Sequence, residues 1–116
     1  MSLHDDIFAL TPAIRYVARG DGQQVDVRSR PGLDNASADE SDRYEELLVN
    51  PTLLTLARQR GEIDCGGLRY LIVGYGHFSQ LVLPMTIGHL SVAFELAVHP
   101  ADYAQAVIDV GARHGL

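Results

Sequence analysis

The sequence predicts an α+β fold in α/β/α layers, with helices on both faces of a five-stranded antiparallel sheet. Residues 68–96 contain three strand-like runs, which are separated by the turn segments Gly74-Tyr75-Gly76-His77 and Thr86-Ile87-Gly88. Glycine permits the positive φ angles that such turns use, so this region is typical of an antiparallel meander. A second pair of alternating runs surrounds Gly20-Asp21-Gly22 and predicts a hairpin. The central runs are apolar on both sides, which predicts cover on both faces.

The length and composition indicate one globular domain spanning residues 1–116. The chain is 47% hydrophobic and 21% charged, which is ordinary for a protein with its own apolar core. The net charge is −6 and all nine basic residues are arginines, so nucleic acid is not an expected partner. Cys65 is the single cysteine and suits a reducing compartment. With no basic leader and no apolar run of about 20 residues, we expect a cytoplasmic protein without membrane insertion.

The N-terminal third predicts a short helix followed by a hairpin. Ser2 can cap a helix that ends at about Leu10, before Thr11-Pro12. The first strand shows a period of two, in which one side carries Ile14, Tyr16 and Ala18. Val25 and Val27 give the second strand the same period.

An irregular loop over 29–41 leads into an acidic segment. Its carboxylates are Asp39, Glu40, Asp42, Glu45 and Glu46. Acids are favoured at a helix N-terminus, so a solvated helix start is one interpretation. A docking surface for a basic partner is the other.

A long helix is predicted over 42–60. Its apolar face carries Tyr44, Leu47, Leu48, Leu54 and Ala57 at helical spacing. Pro51 either kinks this helix or starts a second one capped by Asn50, and Gly61 is the expected stop. Leu53 and Leu56 widen the apolar surface, so the helix has more to bury than its own sheet can cover.

The C-terminal part predicts the last strand and a closing helix. Leu90, Val92 and Phe94 alternate with His89, Ser91 and Ala93. The closing helix is expected to start near His99-Pro100 and to bury Tyr103, Val107 and Val110.

These segments together resemble the roadblock family, of the dynein light chain type in the profilin-like class, as a distant bacterial-type member. The likeness is carried by residues 11–25 with their Asp-Gly turn, by residues 68–83, and by residues 89–96 followed by His99-Pro100-Ala101-Asp102. The resemblance implies a homodimer formed through the long helix and the neighbouring edge strand, acting as a scaffold or regulator for small GTPases or motor assemblies. It implies no catalytic residue and no cofactor. The short first helix, the long acidic loop and Pro51 depart from the family pattern.

Expected interface residues lie on the long helix and on the first strand of the meander. They are Tyr44, Leu47, Leu48, Leu54, Leu68, Tyr70 and Ile72. Tyrosine and other aromatic residues are enriched at interfaces, although Tyr44, Tyr70 and Phe78 equally fit core packing.

The motifs of several enzyme classes are absent. There is no G-x-S-x-G sequence, and a chain without lysine cannot form a phosphate-binding P-loop. His77 and His89 begin successive antiparallel strands and therefore lie at opposite ends of the sheet. His77 and His99 share an end but have no carboxylate or cysteine at ligand spacing, so no metal site is predicted. Cys65 has only Arg69 as a nearby cation in the sequence and is expected to be inert.

We therefore expect a non-catalytic homodimeric protein-interaction module. The alternative is a small-molecule-sensing domain with a pocket between sheet and helix. Tyr16, Gln80 and Ser91 are the polar side chains that such a pocket would use.

Overall fold

The computed structural model describes residues 1–116 and contains one five-stranded antiparallel sheet in the order β2-β1-β5-β4-β3. The strands are β1 (Ile14–Gly20), β2 (Val25–Ser29), β3 (Leu71–Gly74), β4 (Ser79–Pro84) and β5 (His89–Phe94). The helices are α1 (Leu3–Phe8), α2 (Asp39–Tyr44), α3 (Asn50–Asp64) and α4 (Ala104–Arg113). A π-helical turn (Glu45–Val49) joins α2 to α3, and a 3-10 turn (Pro100–Tyr103) precedes α4. None of the helices is long and apolar enough to span a membrane.

The predicted hairpin and meander are both present. Leu81 of β4 pairs with Val92 of β5, and Val17 of β1 pairs with the same Val92 from the other side. β3 is shorter than predicted because it begins at Leu71 rather than Leu68. The predicted fold class is confirmed.

The main apolar core lies between the sheet and the helices α1 and α4. The largest core side chains are Ile7, Ile14, Val17, Leu81, Leu83, Leu90, Val92, Phe94 and Val107. Leu90, Val92 and Phe94 of β5 all face this layer, as their period-2 spacing predicts. Ser2 caps α1 as predicted, because its hydroxyl accepts a hydrogen bond from the Asp5 amide at 3.1 Å.

α2, the π-helical turn and α3 follow each other without a break from Asp39 to Asp64, and we call this run the long helix. It lies on the opposite face of the sheet from α1 and α4. Asn50 and Val49 keep helical φ and ψ angles, so Asn50 does not cap a second helix. A proline inside an α-helix lacks an amide donor and crowds the carbonyl four residues earlier, here that of Leu47. The wide π-helical turn coincides with that carbonyl and accommodates Pro51 within a continuous helix.

The predicted stop at Gly61 is wrong, since α3 continues to Asp64. Gly61 is instead a point of close approach. A Cβ atom there would lie 2.8 Å from the carbonyl oxygen of Gly67, and the Gly67 amide donates to the Gly61 carbonyl at 3.0 Å. The chain thus folds back directly against the last turns of the helix before it enters β3.

The simple alternation predicted for β1 is also wrong. The register against β5 shifts between Ile14 and Tyr16, which is the signature of a β-bulge. As a result Ile14 packs with Val17 in the main core, whereas Tyr16 and Ala18 face the long helix. The bulge therefore turns Tyr16 towards Glu46 of the long helix.

Candidate functional site

Six polar side chains meet between the long helix and the sheet, and we call them the buried polar cluster. They are Tyr16, Glu46, Asn50, Gln80, His89 and Ser91, and each is at least nine-tenths buried. β1, β4 and β5 supply four of them, and the long helix supplies Glu46 and Asn50. Asn50 follows Glu46 by four residues, so both project from one side of the helix.

Glu46 is the centre of this cluster. Its Oε1 atom lies 2.8 Å from both Asn50 Nδ2 and His89 Nε2. Its Oε2 atom accepts from Gln80 Nε2 at 3.0 Å and from the hydroxyl of Tyr16. A carboxylate offers about four acceptor positions, and burying one without partners is costly. Four donors from four elements therefore permit a carboxylate that is only 1% exposed.

Two amide oxygens in the cluster have no partner. Oδ1 of Asn50 and Oε1 of Gln80 are buried without a hydrogen bond. The contact of Gln80 Nε2 with the Glu46 carboxylate sets the orientation of the Gln80 amide, because only the nitrogen can donate there. An unsatisfied buried acceptor costs about 1–3 kcal/mol, so a hydrogen-bond donor brought to either oxygen would be stabilising.

His89 is held in place by the backbone of β1. A Cβ atom on Gly20 would lie 2.6 Å from His89 Cε1, so the ring occupies space that only glycine leaves free. Tyr16 is held as a neutral donor, because burial and then the nearby Glu46 charge raise the pKa of its phenol above its usual value.

Two openings flank the cluster. A cleft of about 200 Å³ reaches Glu46 and His89 between the β1–β2 hairpin and α3, where Thr55 and Arg58 also line it. A larger cavity of about 500 Å³ reaches Tyr16 and Gln80 on the other side, between the start of the long helix and the β3–β4 turn. We call it the aromatic cavity, and its remaining lining residues are Ser37, Glu40, Ser41, Asp42, Tyr44, Glu45, Tyr75 and Phe78.

The aromatic cavity combines rings with carboxylates. The Tyr75 hydroxyl donates to Glu45, with distances of 2.9 and 3.0 Å to the two oxygens, and the Tyr75 ring lies 5.4 Å from that of Phe78. Burial raises the pKa of the Glu45 carboxyl, and the nearby Glu46 and Asp42 charges raise it further. The hydrogen bond from Tyr75 acts in the opposite direction and lowers this pKa. Burial, followed by the bond to Glu45, raises the pKa of Tyr75 to about 12.

Some of the predicted interface residues are exposed in the structure and others are buried. Tyr44, Leu47 and Leu48 are exposed on the outside of the long helix, and Ile72 is exposed on β3. Leu54 is a correction, because its helical phase directs it to the sheet and it is only 5% exposed. Leu68 is half-buried, and Tyr70 packs against the main core.

The predicted acidic docking surface is also divided. Asp39 and Glu40 are exposed and Glu45 is half-buried. Asp42 and Glu46 are corrections, since both are buried: Asp42 accepts a hydrogen bond from Ser37, and Glu46 faces the sheet. Burial and the neighbouring Glu46 and Asp39 charges raise the pKa of Asp42, with burial the larger cause and the Ser37 hydrogen bond opposing it.

The remaining candidate residues lie apart from this site. His77, His99 and Cys65 are exposed, and no three His, Cys, Asp or Glu side chains are grouped to hold a metal ion.

The structure does bring Tyr16, Gln80 and Ser91 together, but only Tyr16 and Gln80 line the aromatic cavity that the alternative function would use. Gln80 Nε2 contacts both Tyr16 and Ser91. Sequence reasoning missed the role of Glu46, Asn50 and His89. The available signal was the polar side of β5, where His89 and Ser91 alternate with core residues, opposite a helix that carries Glu46 and Asn50 four residues apart.

Comparison with known proteins agrees with this architecture. The chain is similar to the crystal structure of a roadblock/LC7 domain from Streptomyces avermitilis, with a TM-score of 0.66 and 20% sequence identity. The alignment covers 93% of this chain and 88% of that chain. No family model matches the sequence, and no curated protein matches it significantly. The chain thus has the roadblock/LC7 fold, and the resemblance predicted from the sequence is confirmed at the level of the fold.

We expect Glu46→Gln to lower the free energy of unfolding by about 3 kcal/mol, because a neutral amide cannot accept from four buried donors. Urea denaturation at neutral pH and fixed protein concentration measures the change. Glu45→Gln is the matched control, since it makes the same substitution one residue earlier at a half-buried position. Equal destabilisation by both variants would contradict the central role of Glu46.

Glu45→Gln is expected to be slightly more stable than the native chain at pH 7. The folded-state pKa of Glu45 is raised, so its ionised form opposes folding above that pKa and the opposition disappears as the carboxyl is protonated. The stability difference between the two chains should therefore shrink as the pH falls from 7 towards 4. Thermal unfolding across this range checks the trend, and a difference that grows at low pH would have the wrong sign.

Proposed function

We propose that residues 1–116 act as a single, non-catalytic protein-interaction domain that functions as a homodimer. The observation that carries this proposal is the apolar outer surface of the long helix. Tyr44, Leu47, Leu48 and Leu56 are 61%, 41%, 52% and 62% exposed. A helix that covers one sheet normally presents polar residues to water. Clustered apolar residues on its outer side are typical of an interaction surface.

The edge of the sheet supports the same proposal. β3 is an edge strand, paired only with β4, and its Ile72 is 41% exposed. Unpaired strand edges favour association with another chain. An isologous dimer about a two-fold axis would cover the helix and the strand edge of both copies at once.

We expect Leu48→Glu to weaken self-association by at least about a hundredfold. Each copy loses a buried leucine worth about 2 kcal/mol and places a carboxylate in the interface, and the two-fold axis doubles the effect. Sedimentation equilibrium or light scattering across micromolar concentrations measures the dissociation constant.

Leu96→Glu is the control, because Leu96 is 60% exposed and follows β5 rather than belonging to the long helix. It should leave self-association unchanged. A native chain that stays monomeric at high micromolar concentration, or equal effects of the two variants, would refute the dimer.

We further propose that the dimer is a cytoplasmic scaffold or regulator of a small GTPase. The likeness of the fold to a roadblock/LC7 domain and the family resemblance of the sequence support this partner class, and the single exposed cysteine suits a reducing compartment.

The GTPase proposal predicts capture of a P-loop GTPase from extract of the source cells on immobilised native chain, with retention that differs between GDP and a non-hydrolysable GTP analogue. Leu96→Glu should retain the GTPase as the native chain does. Recovery of no GTPase, or equal retention with either nucleotide, would contradict it.

A small-molecule-sensing role is the second candidate function. It is favoured by the aromatic cavity, which lies between sheet and helix and is lined by Tyr16 and Gln80.

A further inference from the structure

We propose that the aromatic cavity is a binding site for an arginine side chain presented by a partner protein. This inference rests on the proposed function, since it requires that the chain acts by binding proteins. The cavity adjoins the proposed dimer surface at Tyr44, but its other lining residues lie outside that surface.

The charge of the cavity calls for a cation. Glu40, Asp42 and Glu45 line it, and Glu46 lies directly behind its floor. No arginine or histidine is among the lining residues. The carboxyls of Asp42 and Glu45 both have raised pKa values with burial as the main cause, which is the signature of carboxylates without a cationic neighbour.

The Gln80 side chain at the floor of the cavity gives a second, independent indication of the kind of ligand. Gln80 lines it, is fully buried, and has a side-chain oxygen without a hydrogen-bond partner. The missing donor favours a ligand with N–H groups over a quaternary ammonium ion, which has none to offer. A guanidinium carries five N–H donors in a planar fork and can serve a carboxylate and a carbonyl oxygen together.

The aromatic rings that line the cavity also favour a guanidinium group. Tyr44, Tyr75 and Phe78 form the aromatic part of the lining. Planar guanidinium groups stack on aromatic faces. The chain already contains such a contact at this place, because the guanidinium of Arg15 lies 5.5 Å from the centre of the Phe78 ring. Arg15 itself is engaged by Glu95 at 3.1 and 3.2 Å and does not line the aromatic cavity.

The position of the cavity indicates that the cation comes from a protein. Tyr44 belongs both to the cavity wall and to the exposed apolar surface of the long helix, which continues through Leu48. A partner protein that binds beside the dimer contact can place one side chain in the cavity while it packs on the Tyr44 ring.

The test is a titration of the full chain with N-acetyl-arginine methylamide, which mimics an arginine side chain within a peptide. We expect saturable binding in the millimolar range, followed by amide chemical shifts of residues 40–46 and 75–80. N-acetyl-citrulline methylamide has nearly the same shape without the charge and should bind at least about tenfold more weakly.

Variants assign the binding to the cavity. Glu45→Gln and Tyr44→Ala should each weaken binding of the probe by about tenfold, since they remove a charged acceptor and an exposed ring. Glu62→Gln removes the same charge from the exposed far end of the long helix and should have no effect. Equal binding of the citrulline probe, or an equal effect of Glu62→Gln, would overturn the proposal.

Two further measurements decide the source of the cation. If agmatine binds more than tenfold tighter than the blocked arginine, the ligand is a free small cation and the assignment to a partner protein is wrong. If Glu45→Gln weakens self-association in sedimentation, the occupant is a second copy of this chain, which also overturns it. A monomeric chain that binds the probe would refute the dimer and retain the arginine site, whereas a dimer that does not bind would do the reverse.

Discussion

The buried carboxylate of Glu46 is the constraint on which the helix–sheet layer depends. A charge that is 1% exposed is tolerated only when donors surround it, and here they come from β1, α3, β4 and β5. The β-bulge before Tyr16 and the π-helical turn that contains Glu46 both serve this convergence. Each irregularity would weaken an isolated strand or helix. Here both bring side chains into the hydrogen bonds around the buried carboxylate of Glu46.

This constraint also determines what the long helix shows to water. Its inner side presents Glu46 and Asn50 to a sheet face that carries Gln80, His89 and Ser91. The helix therefore places polar groups inside and leaves several large apolar residues outside. Burying those residues stabilises an assembly rather than the isolated fold. The polar inner layer and the proposed interface therefore lie on opposite sides of the same helix.

Much of the fold could be predicted, because strands with a period of two and turns with glycine leave local signals. The meander, the hairpin and the core side of β5 followed from such patterns. The errors at Ile14 and Gly61 concern a bulge and a close backbone approach, which depend on contacts distant in sequence. For Pro51 the sequence left one kinked helix and a second helix both open, and the structure has one continuous helix. Tyr16, Gln80 and Ser91 could be named as polar candidates. Their convergence on Glu46 could not be predicted, because acidic residues near a helix start are equally consistent with a solvated surface.

The two faces of the sheet are packed differently. On the side of α1 and α4, apolar residues interlock and the helix cap is satisfied. On the side of the long helix lie the unpaired oxygens of Asn50 and Gln80, two carboxyls with raised pKa values and exposed leucines. Each of these features lowers the stability of the isolated chain, and proteins retain such departures mainly where they bind or act. The proposed dimer would bury the leucines, and an N–H-rich cation from a further partner would pair with the carboxylates of the aromatic cavity.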